Sequence, residues 1–220
     1  MARSSPRAPA RRGGKRARSS RPGIAANGSL DLRRALPQPR AMTDYKDTYL
    51  PNSLFPETGQ VCIVTRDLDT LVRTYADKLG IGPWWVNQYE PPNLSNRTFR
   101  GQPGNYTMRI ALAWTGALNW EIIQPLEGPS IYHEFLEEHG EGIHHVGVYL
   151  KDMGMDWAEA HRQFAARGFK PVMAGHWLGA EFCYFETEPL VKTTIEVIYR
   201  RPDWVRPEPL YWYPPKPKGA

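Results

Sequence analysis

The sequence predicts an α+β fold built from two tandem β-α-β-β-β modules, because the chain contains an internal repeat. Residues 60–67 (QVCIVTRD) and 145–152 (HVGVYLKD) align with each other in their pattern of residue types. Each is a strand-like run that opens with a side chain able to bind a metal and closes with an Asp where a helix would begin. Each is followed further along by a strand that carries a carboxylate, at 119–123 (NWEII) and 194–198 (TIEVI). A repeated unit of this kind predicts one site between two halves.

The first module opens with a strand at residues 60–66, and Asp67 is placed to cap the helix that follows. Gly80 stands where a glycine commonly ends a helix. The helix between them is predicted from apolar residues at helical spacing, namely Leu68, Leu71, Val72, Tyr75 and Leu79. The rest of the module is predicted as a strand at 84–86, a Pro- and Gly-rich loop at 91–104, and two strands at 106–114 and 119–124.

The second module repeats this order after a short helix at 130–138, which Ser130 is placed to cap. Asp152 is expected to begin a helix that Gly168 ends. The strands are predicted at 145–151, 170–174, 181–186 and 193–199. A single long ferredoxin-like domain is the alternative, but it would leave the repeat unexplained.

These elements predict five segments. They are a disordered basic N-terminal tail at 1–41, the first β-α-β-β-β module at 58–126, a linker helix at 127–143, the second module at 144–200, and a Pro- and aromatic-rich C-terminal tail at 201–220. The C-terminal tail is expected to lie extended over the domain or over a partner subunit. Its alternative role is a Pro-rich ligand for another protein.

The basic character of the chain belongs to its N-terminal tail. Residues 1–41 hold eleven Lys/Arg and one acid, whereas the remainder holds 17 Lys/Arg and 22 Asp/Glu. The tail almost lacks large apolar residues, so we expect it to be disordered and dispensable for folding of the part that begins at Met42. An organelle transit segment and a nucleic-acid-binding arm are the alternatives.

The composition predicts a cytoplasmic protein with neither a nucleic-acid nor a membrane partner. The two cysteines, Cys62 and Cys183, form no disulfide framework and no C-x-x-C motif. No apolar run approaches the roughly 20 residues that a membrane span needs. Nothing after the tail is typical of a nucleic-acid-binding module.

Four residues at equivalent positions of the repeat predict a metal site: Gln60, Glu121, His145 and Glu196. A mid-strand Glu on its own usually faces solvent, but here each lies among apolar neighbours. A carboxylate buried alone costs several kcal/mol, so it should be protonated, paired or bound to a cation. One imidazole and three oxygen ligands suit a single divalent ion of Zn, Mn, Co, Ni or Mg.

The remaining histidines are expected to play other roles. His144 is adjacent to His145 on a strand and should therefore point to the opposite face. His176, in a turn-like GHWLG run, could reach the mouth of the site. Surface positions on helices are predicted for His133, His139 and His161.

At this point the sequence resembles the vicinal-oxygen-chelate superfamily, over residues 58–200. The motifs closest to its methylmalonyl-CoA epimerase-like branch are at 78–83 (KLGIGP), 126–130 (LEGPS) and 135–146 (FLEEHGEGIHHV). The resemblance implies that the two modules form a cupped mixed sheet around a metal. It also implies a small-molecule substrate, and we expect a homodimer.

The ligand set is similar to that of glyoxalase I enzymes of the human type, which use Gln, Glu, His and Glu in this order. Epimerases typically have His and Gln at the first two positions. Arg109 stands where they carry a catalytic Glu, and Val64 stands where glyoxalase I carries an Arg for glutathione. Extradiol dioxygenases need two His and one Glu, and no histidine precedes His133.

We therefore predict a metal-dependent lyase or isomerase that removes a proton next to a carbonyl through an enolate. Glu196 is the first candidate for general base and Glu121 the second. Arg109 is predicted to hold a substrate carboxylate. Three tryptophans could wall the substrate or pack in the core: Trp84, Trp85 and Trp114. The alternatives are a metal-free binding or resistance protein and, less favoured, a ring-cleaving dioxygenase.

Overall fold

The computed structural model describes Leu50 and residues 52–216, so the predicted tail at 1–41 lies outside the described residues. The first half contains β1 (Gln60–Val64), α1 (Leu68–Leu79), β2 (Trp84–Tyr89), β3 (Leu94–Phe99), β4 (Gln102–Pro103), β5 (Met108–Thr115) and β6 (Leu118–Pro125). The second contains α2 (Ile131–Glu138), β7 (Gly142–Tyr149), α3 (Leu150–Met153), α4 (Trp157–Ala166), β8 (Pro171–Trp177), β9 (Ala180–Phe185), α5 (Glu188–Val191), β10 (Thr194–Arg200) and finally β11 (Tyr211–Tyr213).

All strands join one open, curved, mixed sheet in the order β11-β2-β5-β6-β1-β7-β10-β9-β8-β3-β4. The two halves meet where β1 pairs antiparallel with β7. On either side of this pair lies a parallel neighbour, β6 beside β1 and β10 beside β7. The predicted α+β fold of two β-α-β-β-β modules is confirmed, and the four strands that carry the repeat occupy the centre of the sheet.

Helix boundaries follow local capping chemistry. The side chain of Asp67 accepts a hydrogen bond from the Thr70 amide, and Gly80 ends α1 with φ at 68°. Ser130 caps α2 as predicted, accepting from the His133 amide. The prediction that Asp152 begins the next long helix is wrong, since Asp152 lies inside the short α3. Gly154 (φ 66°) ends that helix, and Asp156 caps α4 instead.

The prediction of a loop at 91–104 is also wrong, because this segment supplies β3 and β4. Strand β3 pairs antiparallel with β8, so an insertion in the first half forms the edge of the second half. Leu94 is buried at the start of β3. The Arg97 guanidinium donates to the Tyr106 carbonyl oxygen. Local Pro and Gly content cannot reveal such a pairing, because the partner strand lies about 80 residues away in the sequence.

The C-terminal segment lies over its own domain. We call residues 201–216 the C-terminal strap; its β11 pairs antiparallel with β2. The strap also accepts two side-chain hydrogen bonds from β2, from Trp85 Nε1 to the Pro207 carbonyl at 2.9 Å and from Asn87 Nδ2 to the Glu208 carbonyl at 3.1 Å. The first half of the sheet therefore gains its edge strand from the end of the chain.

The core is divided between the two faces of the sheet. On the outer face α1 packs on the first half around Val72, Trp84 and Ile122, and α4 packs on the second half around Phe164 and Phe185. The inner, concave face carries a larger apolar cluster that includes Trp85, Met108, Tyr132, Trp177 and Tyr184. No helix in the described part of the chain is long and apolar enough to cross a membrane.

Gly128, three residues beyond the end of β6, should not tolerate a side chain. Its φ is +71°, and a Cβ added there would lie 2.8 Å from the backbone of Asn105 and Tyr106. Gly116 is a matched control with φ at +61° and no heavy atom within 4 Å of an added Cβ. We expect Gly116→Ala to cost about 1 kcal/mol for the left-handed backbone alone.

Gly128→Ala should cost about 1–3 kcal/mol more than the control because the neighbouring backbone must shift. Chemical denaturation of both variants measures the difference. Equal losses of stability would mean that the backbone at 105–106 yields without cost.

Candidate metal centre

Strand register brings the four predicted donors together on the concave face. Cys62 of β1 lies opposite Glu121 of β6 on one side and His145 of β7 on the other. Glu196 of β10 lies opposite Gly147, which also pairs with Gln60. A Cβ at Gly147 would lie 2.9 Å from Gln60 Cβ and 3.3 Å from Glu196 Oε2. The glycine therefore leaves the room in which these two side chains approach each other.

The four side chains form one buried hydrogen-bonded cluster. Gln60 Nε2 donates to Glu121 Oε2 at 2.7 Å and to Glu196 Oε2 at 3.3 Å. His145 Nε2 lies 3.2 Å from Glu121 Oε2 and 3.4 Å from Glu196 Oε2. No member is more than 6% exposed. The two carboxylates thus point at one position, which they share with the imidazole and the amide.

The charges in this cluster are not balanced by protein groups alone. Burial, followed by the negative charge of Glu196, raises the pKa of Glu121 against the opposing effect of His145. Burial alone would lower the pKa of His145, but its hydrogen bonds and proximity to both carboxylates raise it to about 9. If both carboxyls are ionised, one imidazolium between them leaves a net negative charge, and the raised pKa of Glu121 reflects the cost of that charge. Two carboxylates and an imidazole fit a divalent cation in both charge and donor chemistry. Gln60 would add an oxygen ligand after its amide turns to direct Oε1, instead of Nε2, at the carboxylates.

His144 supports the orientation of His145. Its Nδ1 lies 2.8 Å from His145 Nδ1. Burial, followed by the charge of His145, lowers the pKa of His144 well below the usual value, so His144 is the neutral acceptor. A proton on His145 Nδ1 leaves Nε2 directed at the carboxylates. The sequence placed His144 on the opposite face, away from the site, whereas the structure places its ring in direct contact with His145.

Cys62 adds a fifth polar atom that the sequence did not assign to the site. Its Sγ, Glu121 and His145 offer ligand atoms within 4.8 Å of one another. Burial, followed by the charges of Glu121 and Glu196, raises the pKa of the thiol well above its usual value. The thiol is therefore protonated in this arrangement and is a weaker donor than the carboxylates.

A small cavity of about 50 Å³ opens onto Gln60, Glu121 and Glu196. Its walls are mainly aromatic and include Trp85, Tyr89, Trp177, Phe182 and Tyr184. Tyr89 and Trp177 are stacked with ring centroids 4.0 Å apart. The strap covers the cavity with Trp204 and Arg206, and Arg200 at the end of β10 completes the lining. The polar cluster thus lies at the bottom of an apolar cavity with a cationic rim.

The structure does not bring Arg109 to this cavity. Its guanidinium makes a bidentate ion pair with Asp69 of α1, with both N–O distances at 2.9 Å, and also donates to Tyr211 Oη. Met108 and Ile110, its neighbours in β5, line the cavity, so Arg109 points to the outer face. The prediction that Arg109 holds a substrate carboxylate is therefore corrected.

Two other predicted binding residues also lie elsewhere. Trp84 faces α1, where Nε1 donates to the Ile81 carbonyl oxygen at 2.7 Å. His176 lies 3.3 Å from Ser95 Oγ, and its neighbour Trp177 lines the cavity in its place. Trp85 does line the cavity. Trp114 packs against the concave cluster beneath the Arg206 guanidinium, 4.1 Å from its ring centroid.

Several cavity residues had only weak signals in the sequence. Arg200 lies four residues after Glu196 on the same strand, so the alternation of side chains could have placed it on the same face. Tyr89 is the last residue of β2, which the sequence predicts only as far as residue 86. Trp177 is the last residue of β8, which it predicts only as far as residue 174. Arg206 lies in the strap, whose path no local pattern reveals.

Comparison with known proteins identifies the family of this fold. A model of the Glyoxalase/Bleomycin resistance protein/Dioxygenase superfamily matches residues 59–185. No curated protein is significantly similar to the chain.

Among solved structures, methylmalonyl-CoA epimerase from Mycobacterium tuberculosis is similar with a TM-score of 0.50 and 20% identity, covering 70% of this chain and 94% of that one. A hypothetical protein from Bacillus halodurans is similar at 0.48 and 16%, covering 68% and 98%. A methylmalonyl-CoA epimerase in complex with methylmalonyl-CoA and NH4+ is similar at 0.47 and 16%, covering 68% and 97%. At these identities the likeness to solved structures shows the fold alone.

Proposed function

Since the chain belongs to the Glyoxalase/Bleomycin resistance protein/Dioxygenase superfamily, we propose that it is a metal-dependent lyase or isomerase acting on a carbonyl-bearing small molecule. The observation that carries this proposal is the convergence of Gln60, Glu121, His145 and Glu196 at the bottom of one cavity. Buried carboxylates without full charge compensation are expensive, and a site for a divalent cation explains why two are retained.

The four donors would hold one divalent ion of Zn, Mn, Co, Ni or Mg. A bound ion of this kind would act as a Lewis acid and stabilise negative charge on the carbonyl oxygen of a substrate. The aromatic walls, including Trp85 and Trp177, would orient the substrate and exclude water. His144 would keep the His145 ring in place through the Nδ1 contact.

Glu196 is the proposed general base. It lines the cavity and is 4% exposed, so its carboxylate can meet substrate with little competing water. The C–H bond next to the carbonyl would break, the proton would pass to the Glu196 carboxylate, and the electron pair would move onto the carbonyl oxygen. Return of a proton to the carbon completes an isomerisation, and loss of a leaving group completes a lyase reaction. Glu121 is the second candidate for this role.

Elemental analysis followed by a proton exchange screen tests the proposal. The full chain, purified after reconstitution with each divalent metal, should hold one ion per chain. In deuterium oxide it should exchange the proton next to the carbonyl of at least one member of a panel of acyl-CoAs and α-ketoacids. A metal-free protein in which both Glu121→Ala and Glu196→Ala are near neutral in stability would contradict the proposal.

A small-molecule binding or resistance protein is the second candidate function. The enclosed aromatic cavity favours it, because such walls bind planar apolar ligands without any chemistry. Tight ligand binding with no exchange for any carbonyl compound would support this alternative. No feature of the cluster favours a dioxygenase, since a single imidazole faces the carboxylates.

The homodimer and the cytoplasmic location expected from the sequence stay predictions. Light scattering of the purified chain and fractionation of cells test them separately.

A further inference from the structure

Two arginines beside the cavity have no anionic partner in the part of the chain that the structure describes. Arg200 ends β10 and Arg206 lies in the strap, and both line the cavity. The Nε atom of each is buried without a hydrogen-bond partner among residues 52–216. Their neighbour Arg201 differs, since it pairs with Asp203 at 3.6 Å on the surface. Because buried donors without partners are unfavourable, a ligand that accepts hydrogen bonds from these two arginines would be stabilised here.

Aromatic rings hold both guanidinium groups in place. Arg206 lies over the ring of Trp114 at 4.1 Å, and Arg200 lies over Tyr149 at 4.9 Å and Trp204 at 4.8 Å. A guanidinium held over an aromatic ring can still donate N–H hydrogen bonds to a further group. The two groups are therefore oriented in advance for a ligand that presents oxygen acceptors.

The cavity carries opposite charges at its two ends. Arg200 and Arg206 line the same cavity, so two positive charges lie at its rim. Burial, followed by the positive charge of Arg200, lowers the pKa of Arg206. At the bottom lie Glu121 and Glu196. This distribution suits a ligand with an anionic group at one end and a carbonyl at the other.

We propose that Arg200 and Arg206 bind the carboxylate of the substrate, which is therefore a carbonyl compound with a free carboxylate. That the other end of the substrate is a carbonyl rests on the proposed function. Arg200 and Arg206 take the carboxylate-binding role that the sequence assigned to Arg109. A carboxylate and a phosphate both match the guanidinium fork. The carboxylate is the proposed group because it is planar, as the guanidinium fork is, and the titration with phosphate tests this choice.

Calorimetric titration of the full chain with pyruvate, 2-oxoglutarate and malonate tests the inference, with dimethyl malonate as the uncharged analogue and inorganic phosphate as the other oxyanion. At least one carboxylate should bind the wild type. Arg200→Gln and Arg206→Gln should each weaken that binding by about 10- to 100-fold. Arg201→Gln, the matched surface control, should leave carboxylate binding unchanged. The affinity for dimethyl malonate should be the same in the wild type and in all three variants.

Arg206→Lys provides a second variant because it keeps the charge and the contact with Trp114 but loses the planar fork. It should bind the carboxylate with an affinity between those of wild type and Arg206→Gln, and thermal melts identify any variant that fails to fold. Failure of the wild type to bind any of the three carboxylates overturns the inference. So does tighter binding of phosphate than of every carboxylate.

Repeating the titrations with and without bound metal separates the two proposals. A chain that binds no metal but loses carboxylate binding in both arginine variants contradicts the proposed function and supports the arginine site. A metal-loaded chain that exchanges substrate protons, but binds acids equally well in wild type and both variants, contradicts the arginine site alone.

Discussion

Glu196→Gln should lower turnover by about 100- to 10,000-fold, the usual size of the loss of a general base. The amide keeps an oxygen donor and nearly the same shape, so the fold and much of the metal affinity should persist. It cannot accept the substrate proton. The measurement is deuterium incorporation into recovered substrate, which the wild type should show and Glu196→Gln should not.

The control for this prediction is Glu137→Gln, which makes the same chemical change on the exposed side of α2. It should leave exchange at the wild-type level. Exchange that continues unchanged in Glu196→Gln would assign the base to Glu121 or to another group. Loss of metal along with exchange would show that Glu196 acts mainly as a ligand.

His145→Ala should weaken metal binding by at least about 100-fold, because removal of a ligand should cost no less than removal of its outer hydrogen-bond partner. The remaining oxygen donors should still bind the ion, but more weakly. Activity should therefore recover in part at high metal concentration. Metal affinity is measured by competition with a chelating dye. The variant also leaves two buried carboxylates without their imidazolium, so its metal-free form should melt at a lower temperature than the metal-free wild type.

Two further histidine variants make this result specific. His144→Phe removes only the partner of Nδ1 and should weaken metal binding by about 10- to 100-fold. His139→Ala changes an exposed ring, with a side chain 46% exposed, and should have no effect. Equal metal affinity in His145→Ala and wild type would remove the imidazole from the ligand set.

The centre of the sheet could be predicted from the sequence because its signals are local and occur twice. Residues 60–67 and 145–152 each show a strand that leads to a helix, and the repeat makes Glu121 and Glu196 equivalent. Alternation of side chains then places Gln60 and Glu196 on the concave face. This is why the four residues of the buried cluster could be named before their contacts were known.

Other features depended on pairings between distant segments. β3 pairs with the edge that β8 offers, and β4 pairs in turn with β3, whereas the Pro and Gly residues between 91 and 104 predict only a loop. The path of the strap, and with it Arg206, depends on hydrogen bonds to β2 that no local pattern encodes.

The wrong assignments of Arg109 and Trp84 had a different cause. Adjacent strand residues point to opposite faces, so Trp84 and Trp85 cannot both line one cavity. The apolar neighbours Met108 and Ile110 indicate in the same way that Arg109 faces outward.

The short strands at both ends of the sheet also limit how copies of this protein can associate. The sheet ends in β4, two residues long and containing Pro103, and in β11, three residues long and followed by Pro214 and Pro215. Proline lacks an amide donor, and so short an edge offers few backbone groups for another strand to pair with. Edge-to-edge growth of the sheet through β4 and β11 is thereby disfavoured.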